Sequence, residues 1–328
     1  MQEGTARAHA NIALVKYWGK RDEALILPMN GSISMTVNRF YVTTCVAFDD
    51  GLSADRLVIN GSEASAIDQR RVSQFLDLVR GLADTDSRAL IRSINCVPTA
   101  SGLASSSAAY AALAKASTLA LGISYSPKDL SKLARRGSGS AARSIYGGLV
   151  EWLKGNRVDG SDCYAVPLAP PDYWDLTMVV ALVDEGPKAI SSRDAMRRVV
   201  ATSPFYTGWL AAVESDISKV REAIVRRDFS ILGETAEANA FKMHATAMGA
   251  SPPFTFWQGS TIEVIRCVQR LRADGIEAYV TIDAGPHVVV LCRKGDAGVV
   301  EAALSSVDGV KHVIVTGPGP DAYQVESL

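Results

Sequence analysis

The chain has 328 residues, of which 48% are hydrophobic and 21% charged, a balance typical of a globular protein long enough to hold a large core. Its formal net charge of -1 excludes any bulk attraction to nucleic acid or to an anionic membrane. Any anion must therefore be bound by basic side chains that the fold gathers locally.

Targeting and redox signals are also missing from the sequence. We find no signal-like segment and no apolar stretch long enough to span a bilayer, which predicts a cytoplasmic protein. The five cysteines are widely spaced without a Cys-x-x-Cys pair, and the four histidines show no metal-ligand spacing. We therefore expect reduced structural thiols and neither a zinc site nor a disulfide framework.

The N-terminal half is rich in predicted strands. The patterns predict strands at 5–14, 32–48, 56–59, 91–97 and 174–184. They predict helices at 68–82 and 127–136, a helix that begins within the segment 98–113, and a short helix that begins at 140. Ser126 is a plausible N-cap for the helix at 127–136.

The C-terminal half changes to longer helices, predicted at 191–203, 207–226, 229–248, 260–274 and 297–305, with strands at 278–283, 287–293 and 312–316. The last part has the order of half a split β-α-β unit, with a tight hairpin at 283–286. We predict an α+β protein of two domains, 1–184 and 185–328.

Residues 98–113, PTASGLASSSAAYAAL, lead from a predicted strand through a turn of small residues into an alanine-rich helix. Free amides and the dipole at a helix N-terminus favour phosphate, and small residues such as Gly102 and Ala104 let it approach the backbone. Ser105, Ser106 and Ser107 add donors, and one of them is suited to a phosphate-bound Mg²⁺. The segment matches neither the Walker nor the dinucleotide pattern, and an ordinary capped helix is the alternative.

Asp283 follows a predicted strand and precedes a turn that would hold it in place. A fixed carboxylate there is suited to accepting a proton, and the alternative is a turn aspartate bonded to its own backbone. Since no serine-histidine pair or nucleophilic cysteine stands beside it, phosphoryl or proton transfer is favoured over acyl-enzyme chemistry.

Basic residues cluster at three places along the chain, although solvated surface charge is the alternative for each of them. Lys16, Tyr17 and Lys20 can grip a diphosphate, whereas the planar forks of Arg143 and Arg193 suit two-point binding of carboxylate or phosphate. The helix turn after Gly137 would aim three groups at a common point: Ser138, Ser140 and Arg143.

Several of these segments resemble one family. The Pro-x-x-x-Gly-Leu-x-Ser-Ser run is similar to the phosphate loop of the superfamily of galactokinase, homoserine kinase and mevalonate kinase (GHMP kinases). The segments at 10–20, 136–143, 191–193 and 282–286 resemble the diphosphomevalonate decarboxylases, in order over almost the whole chain. Two departures are Ser107, where alanine is common, and His287, where asparagine is common.

The resemblance implies a two-lobed GHMP-kinase-like fold with the active site in the cleft between lobes, and a homodimer. The N-terminal lobe would resemble ribosomal protein S5 domain 2, and the C-terminal lobe a ferredoxin-like split β-α-β unit. ATP with Mg²⁺ would phosphorylate the C3 hydroxyl of mevalonate 5-diphosphate, and loss of phosphate and CO2 would give isopentenyl diphosphate.

The resemblance also implies a role for each matched residue. Asp283, Arg143 and Lys20 would act in catalysis, with Asp283 at the C3 hydroxyl and Arg143 at the substrate carboxylate. The remaining assignments form two sets. Substrate binding is assigned to Lys16, Tyr17, Lys20, Ser138, Ser140, Arg143, Ser191, Ser192 and Arg193, and ATP binding to Gly102, Leu103, Ala104, Ser105, Ser106, Ser107 and Lys188, with Ser106 as the Mg²⁺ ligand.

Three alternatives remain open at the level of sequence. One is a decarboxylase that prefers mevalonate 5-phosphate and makes isopentenyl phosphate. Another is a small-molecule kinase that stops at the phosphorylated product. The third is a non-catalytic ligand sensor or nucleic-acid-binding module, which should have lost Asp283 or Arg143 or gained a basic face.

Overall fold

The computed structural model describes residues 2–97, 105–183, 186 and 190–328. In this part of the chain the strands are β1 (Gln2–Val15), β2 (Lys20–Asp22), β3 (Leu27–Pro28), β4 (Ser32–Asp49), β5 (Arg56–Ile59), β6 (Ser62–Glu63), β7 (Arg88–Asn95), β8 (Leu149–Trp152), β9 (Ala165–Ala169), β10 (Leu176–Leu182), β11 (Ala278–Thr281), β12 (Val288–Arg293), β13 (His312–Thr316) and β14 (Tyr323–Gln324).

The helices of the same residues are α1 (Ala66–Ala83), α2 (Ser105–Ala120), α3 (Pro127–Gly137), α4 (Ser192–Thr202), α5 (Tyr206–Arg226), α6 (Phe229–Met248), α7 (Gly259–Ala273) and α8 (Ala297–Ser305). Two 3₁₀ helices lie at Gly139–Ile145 and Lys294–Asp296. The predicted helices and longer strands are confirmed, with ends that differ by a few residues. Ser126 is confirmed as a cap, since its hydroxyl accepts from the Asp129 amide at 3.1 Å.

The N-terminal lobe is built on a sheet in the order β14-β1-β4-β7-β5-β6, with β8 and β9 continuing from β4. Most of these pairs are antiparallel, and β5 runs parallel to β7. Helix α2 packs against β1 and β4 through alanines that are almost completely buried. The close approach needs Gly4 on β1, because a Cβ there would collide with the backbone of Ala116.

The C-terminal lobe is built on an antiparallel sheet in the order β11-β12-β10-β13. Alternate residues of its strands face opposite sides, as the period of two requires. Val179 and Ala181 belong to a core with α7 and α8. Met178 and Val180 belong to a core with α5, α6 and the end of β1. This second core contains residues of both lobes, and its Trp18, Met196 and Met243 also line the cleft between them.

The two sheets divide before β10, which lies on the N-terminal side of the predicted boundary at 184/185. Both hydrogen-bonded neighbours of β10 come from the C-terminal half. With it, the unit has the complete β-α-β-β-α-β strand order, although α4 to α7 stand in the place of the first helix. The sequence assigned β10 to the first half because pairing partners more than a hundred residues away leave no local signal.

Two local predictions need correction. The β11–β12 connection spans 282–287 and is not a tight hairpin at 283–286, because the last paired residues are Thr281 and Val289. The short helix after Gly137 is a 3₁₀ helix that starts at Gly139. A Cβ at Gly139 would lie 2.8 Å from the Trp152 ring, which explains the need for glycine at this contact.

Candidate active site

A cleft of about 530 Å³ lies between the lobes, and it brings together sequence-distant segments. Its described lining comes from the end of β1, the N-terminus of α2, the α3–3₁₀ junction, the start of α4 and the loop after β11. Most of the predicted site residues meet here: Lys16, Tyr17, Lys20, Ser105, Ser106, Ser138, Ser140, Arg143, Ser191, Ser192, Arg193 and Asp283.

Lys16 and Asp283 form an ion pair in this cleft, although 267 residues separate them. Lys16 Nζ donates to Asp283 Oδ1 at 2.6 Å and to the Ala13 carbonyl at 2.9 Å. The Lys16 side chain is 3% exposed and that of Asp283 is 28% exposed. Burial lowers the pKa of Lys16, whereas the Asp283 carboxylate raises it. The pair leaves Asp283 Oδ2 without a hydrogen bond to any described residue, so this oxygen is available to a substrate.

Arg143 is 3% exposed, and its guanidinium is held by neutral groups. Its Nε donates to Asn11 Oδ1 at 3.1 Å and to Ser34 Oγ at 2.9 Å, and Nη1 donates to Ser32 Oγ. Burial lowers the pKa of Arg143 to about 10, while Asp283 raises it. Among the described residues Arg143 makes no ion pair, so its buried positive charge faces the cleft without a paired carboxylate. Such a charge is costly unless a ligand supplies the counter-charge.

Asn11, Ser32 and Ser34 hold the Arg143 guanidinium, and the sequence did not predict them as residues of the site. The Asn11 side-chain amide also donates to the Ser140 carbonyl at 3.0 Å and to Ser144 Oγ at 2.7 Å, which ties β1 to the 3₁₀ helix. The available signal was an asparagine inside an apolar strand, since a buried polar residue needs partners.

Tyr17 and Lys20 line the cleft together with the start of α4. The Tyr17 ring packs edge-on against Trp152 at 4.9 Å, and its buried hydroxyl has no partner within the described ranges. Burial raises the pKa of Tyr17, so the hydroxyl keeps its proton and can donate it in a hydrogen bond. Lys20 Nζ donates to Glu23 Oε2 at 2.7 Å, and burial lowers its pKa.

The two serines at the start of α4 differ in role. Ser191 is the N-cap, because its hydroxyl accepts from the Asp194 amide at 3.1 Å and donates to the Asp194 carboxylate at 2.6 Å. Ser192 begins the helix and lines the cleft with Arg193. The Ser192 hydroxyl is therefore the freer of the two to contact a ligand.

A row of hydroxyls connects the α2 terminus to the arginine site. Ser106 Oγ lies 3.3 Å from Ser138 Oγ, which lies 3.3 Å from Ser140 Oγ. Ser105 also lines the cleft, whereas Ser107 is fully buried and does not. Gly102, Leu103, Ala104 and Lys188 fall outside the described residues. The strand and helix that flank the predicted phosphate loop are both present, at β7 and α2.

Part of the cleft lining is a largely apolar wall that the sequence did not predict. Leu57 and Ile59 on β5, Val72 on α1 and Tyr110 on α2 form this wall, and Arg71 stands at its edge. A planar base fits such a lining better than a phosphate does.

The described cleft is basic overall, with five cations against two carboxylates. The cations are Lys16, Lys20, Arg71, Arg143 and Arg193, and the carboxylates are Asp68 and Asp283. No group of three or more acidic, histidine or cysteine side chains that can hold a metal ion occurs in the described part of the chain. Nor does any helix in these residues have the length and apolarity needed to cross a membrane.

Comparison with known proteins places the chain in one family. Residues 8–165 match the diphosphomevalonate decarboxylase-like N-terminal domain and residues 178–317 the mevalonate 5-diphosphate decarboxylase C-terminal domain. The second span begins within β10, so most of this strand belongs to the C-terminal domain, in agreement with the sheet pairing.

Individual relatives give the same result over nearly the full length. The diphosphomevalonate decarboxylase of Homo sapiens is 34% identical, over 96% of this chain and 92% of its own. The mevalonate diphosphate decarboxylase structure from Staphylococcus aureus has 43% identity and a TM-score of 0.95, covering 99% of this chain and 98% of its own. The structure of MDDEF with MVAPP, AMPPCP and magnesium has 46% identity and a TM-score of 0.93, covering 99% of both chains. The chain belongs to the diphosphomevalonate decarboxylase family of the GHMP kinase superfamily.

Proposed function

We propose that this protein catalyses the ATP-dependent decarboxylation of mevalonate 5-diphosphate to isopentenyl diphosphate, ADP, phosphate and CO2. The observation that carries the proposal is the buried Arg143, which is held by hydroxyls and an amide, faces the cleft and lacks an anionic partner among the described residues. A kinase acting on a simple alcohol has no need for this cation, whereas a substrate carboxylate fits its planar fork.

Asp283 is the group that acts on the C3 hydroxyl. Lys16 fixes one carboxylate oxygen, which leaves Oδ2 to accept the hydroxyl proton as the C3 oxygen attacks the γ-phosphorus of ATP. The new C3–O–P bond forms as the bond to the β-phosphate oxygen breaks, and ADP leaves. Asp283 holds the proton, and the Lys16 ammonium stabilises the carboxylate before transfer.

Decarboxylation then follows from the leaving group. Phosphate departs from C3 with the electron pair of the C–O bond, and the C1–C2 bond electrons form the new double bond as CO2 is released. Arg143 would hold the carboxylate in line during this step. Positive charge develops at C3, so the reaction needs no electron-sink cofactor.

The diphosphate is assigned to the part of the cleft that Tyr17, Lys20 and the start of α4 line. Tyr17 contributes a buried donor that lacks a partner in the described residues, while Lys20 and Arg193 contribute charge. Ser192 adds a hydroxyl at the N-terminus of α4, where the helix dipole also favours an anion. These groups lie on both lobes, so the substrate would bridge them.

ATP is assigned to the part of the cleft that α2 and the apolar wall line. Ser105 and Ser106 lie at the N-terminus of α2, which suits phosphate, and the wall suits adenine. The described donors are hydroxyls, and no acidic cluster occurs among the described residues, which fits Mg²⁺ held mainly through ATP phosphates. Ser106 is the proposed protein ligand. When bound there, Mg²⁺ would neutralise charge on the transferring phosphoryl group.

We also propose that the protein acts as a cytoplasmic homodimer in the mevalonate pathway. All five cysteines lie in described residues and are free thiols, as expected in a reducing compartment.

The test is a product assay with purified protein, ATP, Mg²⁺ and mevalonate 5-diphosphate labelled at the carboxyl carbon. We expect labelled CO2 and ADP together, and neither without ATP. Mevalonate 5-phosphate is measured in parallel. A higher kcat/KM for the monophosphate would transfer the assignment to the sister activity, and absence of CO2 release from folded protein would refute the proposal.

A further inference from the structure

Helix α6 passes behind the Lys16–Asp283 pair and contacts the chain on both sides of it. Asn239 on this helix is fully buried, and its Oδ1 accepts from the Lys16 backbone amide at 2.8 Å. Its Nδ2 donates to Asp216 Oδ2 at 2.8 Å, and Asp216 also accepts from Lys242 at 2.8 Å. Because a carboxylate only accepts, the orientation of the Asn239 amide is fixed.

His244, five residues further along α6, contacts the other side. Its Nε2 lies 3.2 Å from the Ile282 carbonyl oxygen, the residue before Asp283. Since a carbonyl only accepts, Nε2 carries the proton and donates. Its Nδ1 is buried without a partner in the described structure, beside the Phe256 and Trp257 rings at 5.9 and 5.0 Å. Burial lowers the pKa of His244 to about 4, so the ring stays neutral.

Both catalytic partners stand just after strand ends, where strand pairing no longer fixes the backbone. Strand β1 ends at Val15 and β11 at Thr281, and the two strands belong to different sheets. The 2.6 Å contact between Lys16 and Asp283 therefore depends on the bond from Thr281 Oγ1 to the Ala13 carbonyl at 2.9 Å and on what holds the residues beyond those strand ends. A misplacement of about 1 Å costs up to about a hundredfold in rate.

We propose that Asn239 and His244 are positioning residues for the reaction, which set the Lys16–Asp283 geometry from one helix by holding the Lys16 amide and the Ile282 carbonyl. This inference rests on the proposed role of Asp283. Asn239 and His244 would not bind the substrate themselves. Through them, helix α6 would determine how well Asp283 is aligned for proton transfer.

The first test compares His244→Phe with His244→Gln. Phenylalanine keeps a ring against Phe256 and Trp257 but donates nothing to Ile282, and we expect kcat to fall at least about tenfold while KM for both substrates stays within about twofold. Glutamine retains an N–H donor and should recover most of the lost kcat. Asn239→Leu, which removes the bond to the Lys16 amide, should behave like His244→Phe.

The second test is a double-mutant cycle with Asp283→Asn. If His244 acts through Asp283, then His244→Phe should change kcat by less than about twofold in the Asp283→Asn background. Ile224→Val, a conservative core change on α5, is the control and should keep wild-type kcat. Equal losses in both backgrounds, or a lower Tm with unchanged kcat, would overturn the inference.

A crystal structure of His244→Phe gives a readout independent of activity. We expect the Lys16 Nζ to Asp283 Oδ1 distance to lengthen from 2.6 Å to beyond about 3.5 Å. If the wild-type protein released no CO2, the proposed function would fail. The distance in His244→Phe would then be the only test of whether His244 sets the Lys16–Asp283 geometry. An unchanged distance in that case would overturn the inference.

Discussion

Replacing Asp283 by asparagine tests the role of the central ion pair. The amide keeps the shape of the side chain and removes both its charge and its ability to accept the substrate proton. Loss of a general base costs about 10²–10⁴ in rate, so we expect kcat to fall at least about a hundredfold with a small change in KM. The loss should be equal for CO2 and ADP, because the base acts before either product forms.

The same substitution leaves the Lys16 ammonium without its counter-charge. Breaking a fully buried ion pair costs about 3–5 kcal/mol. Here the Asp283 side chain is 28% exposed, and an amide oxygen still accepts from Lys16, so we expect a loss of about 1–2 kcal/mol in the free energy of unfolding. The pKa of Lys16 should fall further, since Asp283 raises it in the wild-type protein.

The assay follows labelled CO2 and ADP under saturating substrates, with urea unfolding monitored by circular dichroism. Asp55→Asn is the matched control. Asp55 pairs with Arg80 at 3.0 Å, with side chains 4% and 5% exposed, and neither lines the cleft. Asp55→Asn should lower the free energy of unfolding and leave the kcat of the folded protein unchanged. Asp283→Asn retaining more than about a tenth of wild-type kcat would return Asp283 to a turn-forming residue and refute the reasoning.

Further predictions follow from the roles of individual side chains. Arg193→Ala should mainly raise KM for mevalonate 5-diphosphate, and a fall in kcat with unchanged affinity would contradict its place in the diphosphate grip. Ser191→Ala should lower the free energy of unfolding by about 1 kcal/mol, because it removes a helix cap. Ser192→Ala should raise the KM for mevalonate 5-diphosphate and leave the stability unchanged. The opposite result for the two variants would exchange the two roles. Burial lowers the pKa of Lys16 below its ordinary 10.5, so activity should fall as the pH rises through that lowered value and the pair loses its cation. Lys16→Arg stays charged and should move the loss to higher pH in a pH–rate profile, and an unmoved limb would assign the titration elsewhere.

The sequence identified much of the site because its chemistry is encoded in short segments. The glycines of 136–140 are needed where the backbone packs against aromatic rings, as Gly137 does on Tyr110 and Gly139 on Trp152. The serine run before α2 and the aspartate after β11 likewise carry local signals. These features predicted many of the polar and charged residues that line the cleft.

The rest depended on contacts between distant parts of the chain. The Lys16–Asp283 pair and the Asn11 and Ser34 contacts to Arg143 span more than a hundred residues, and no periodicity in a single strand reveals them. For the same reason the sequence misplaced β10. Ser107, which the sequence grouped with Ser105 and Ser106 as an ATP-binding residue, is fully buried at the start of α2, and its role in ATP binding stays a prediction.

The most direct test of the account is a single-turnover measurement with enzyme in excess over ATP and labelled mevalonate 5-diphosphate, quenched at increasing times. The account predicts one CO2 per ADP at completion, with both products lost together in Asp283→Asn. Wild-type protein that forms ADP and a stable phosphorylated substrate without CO2 would contradict it and identify a kinase.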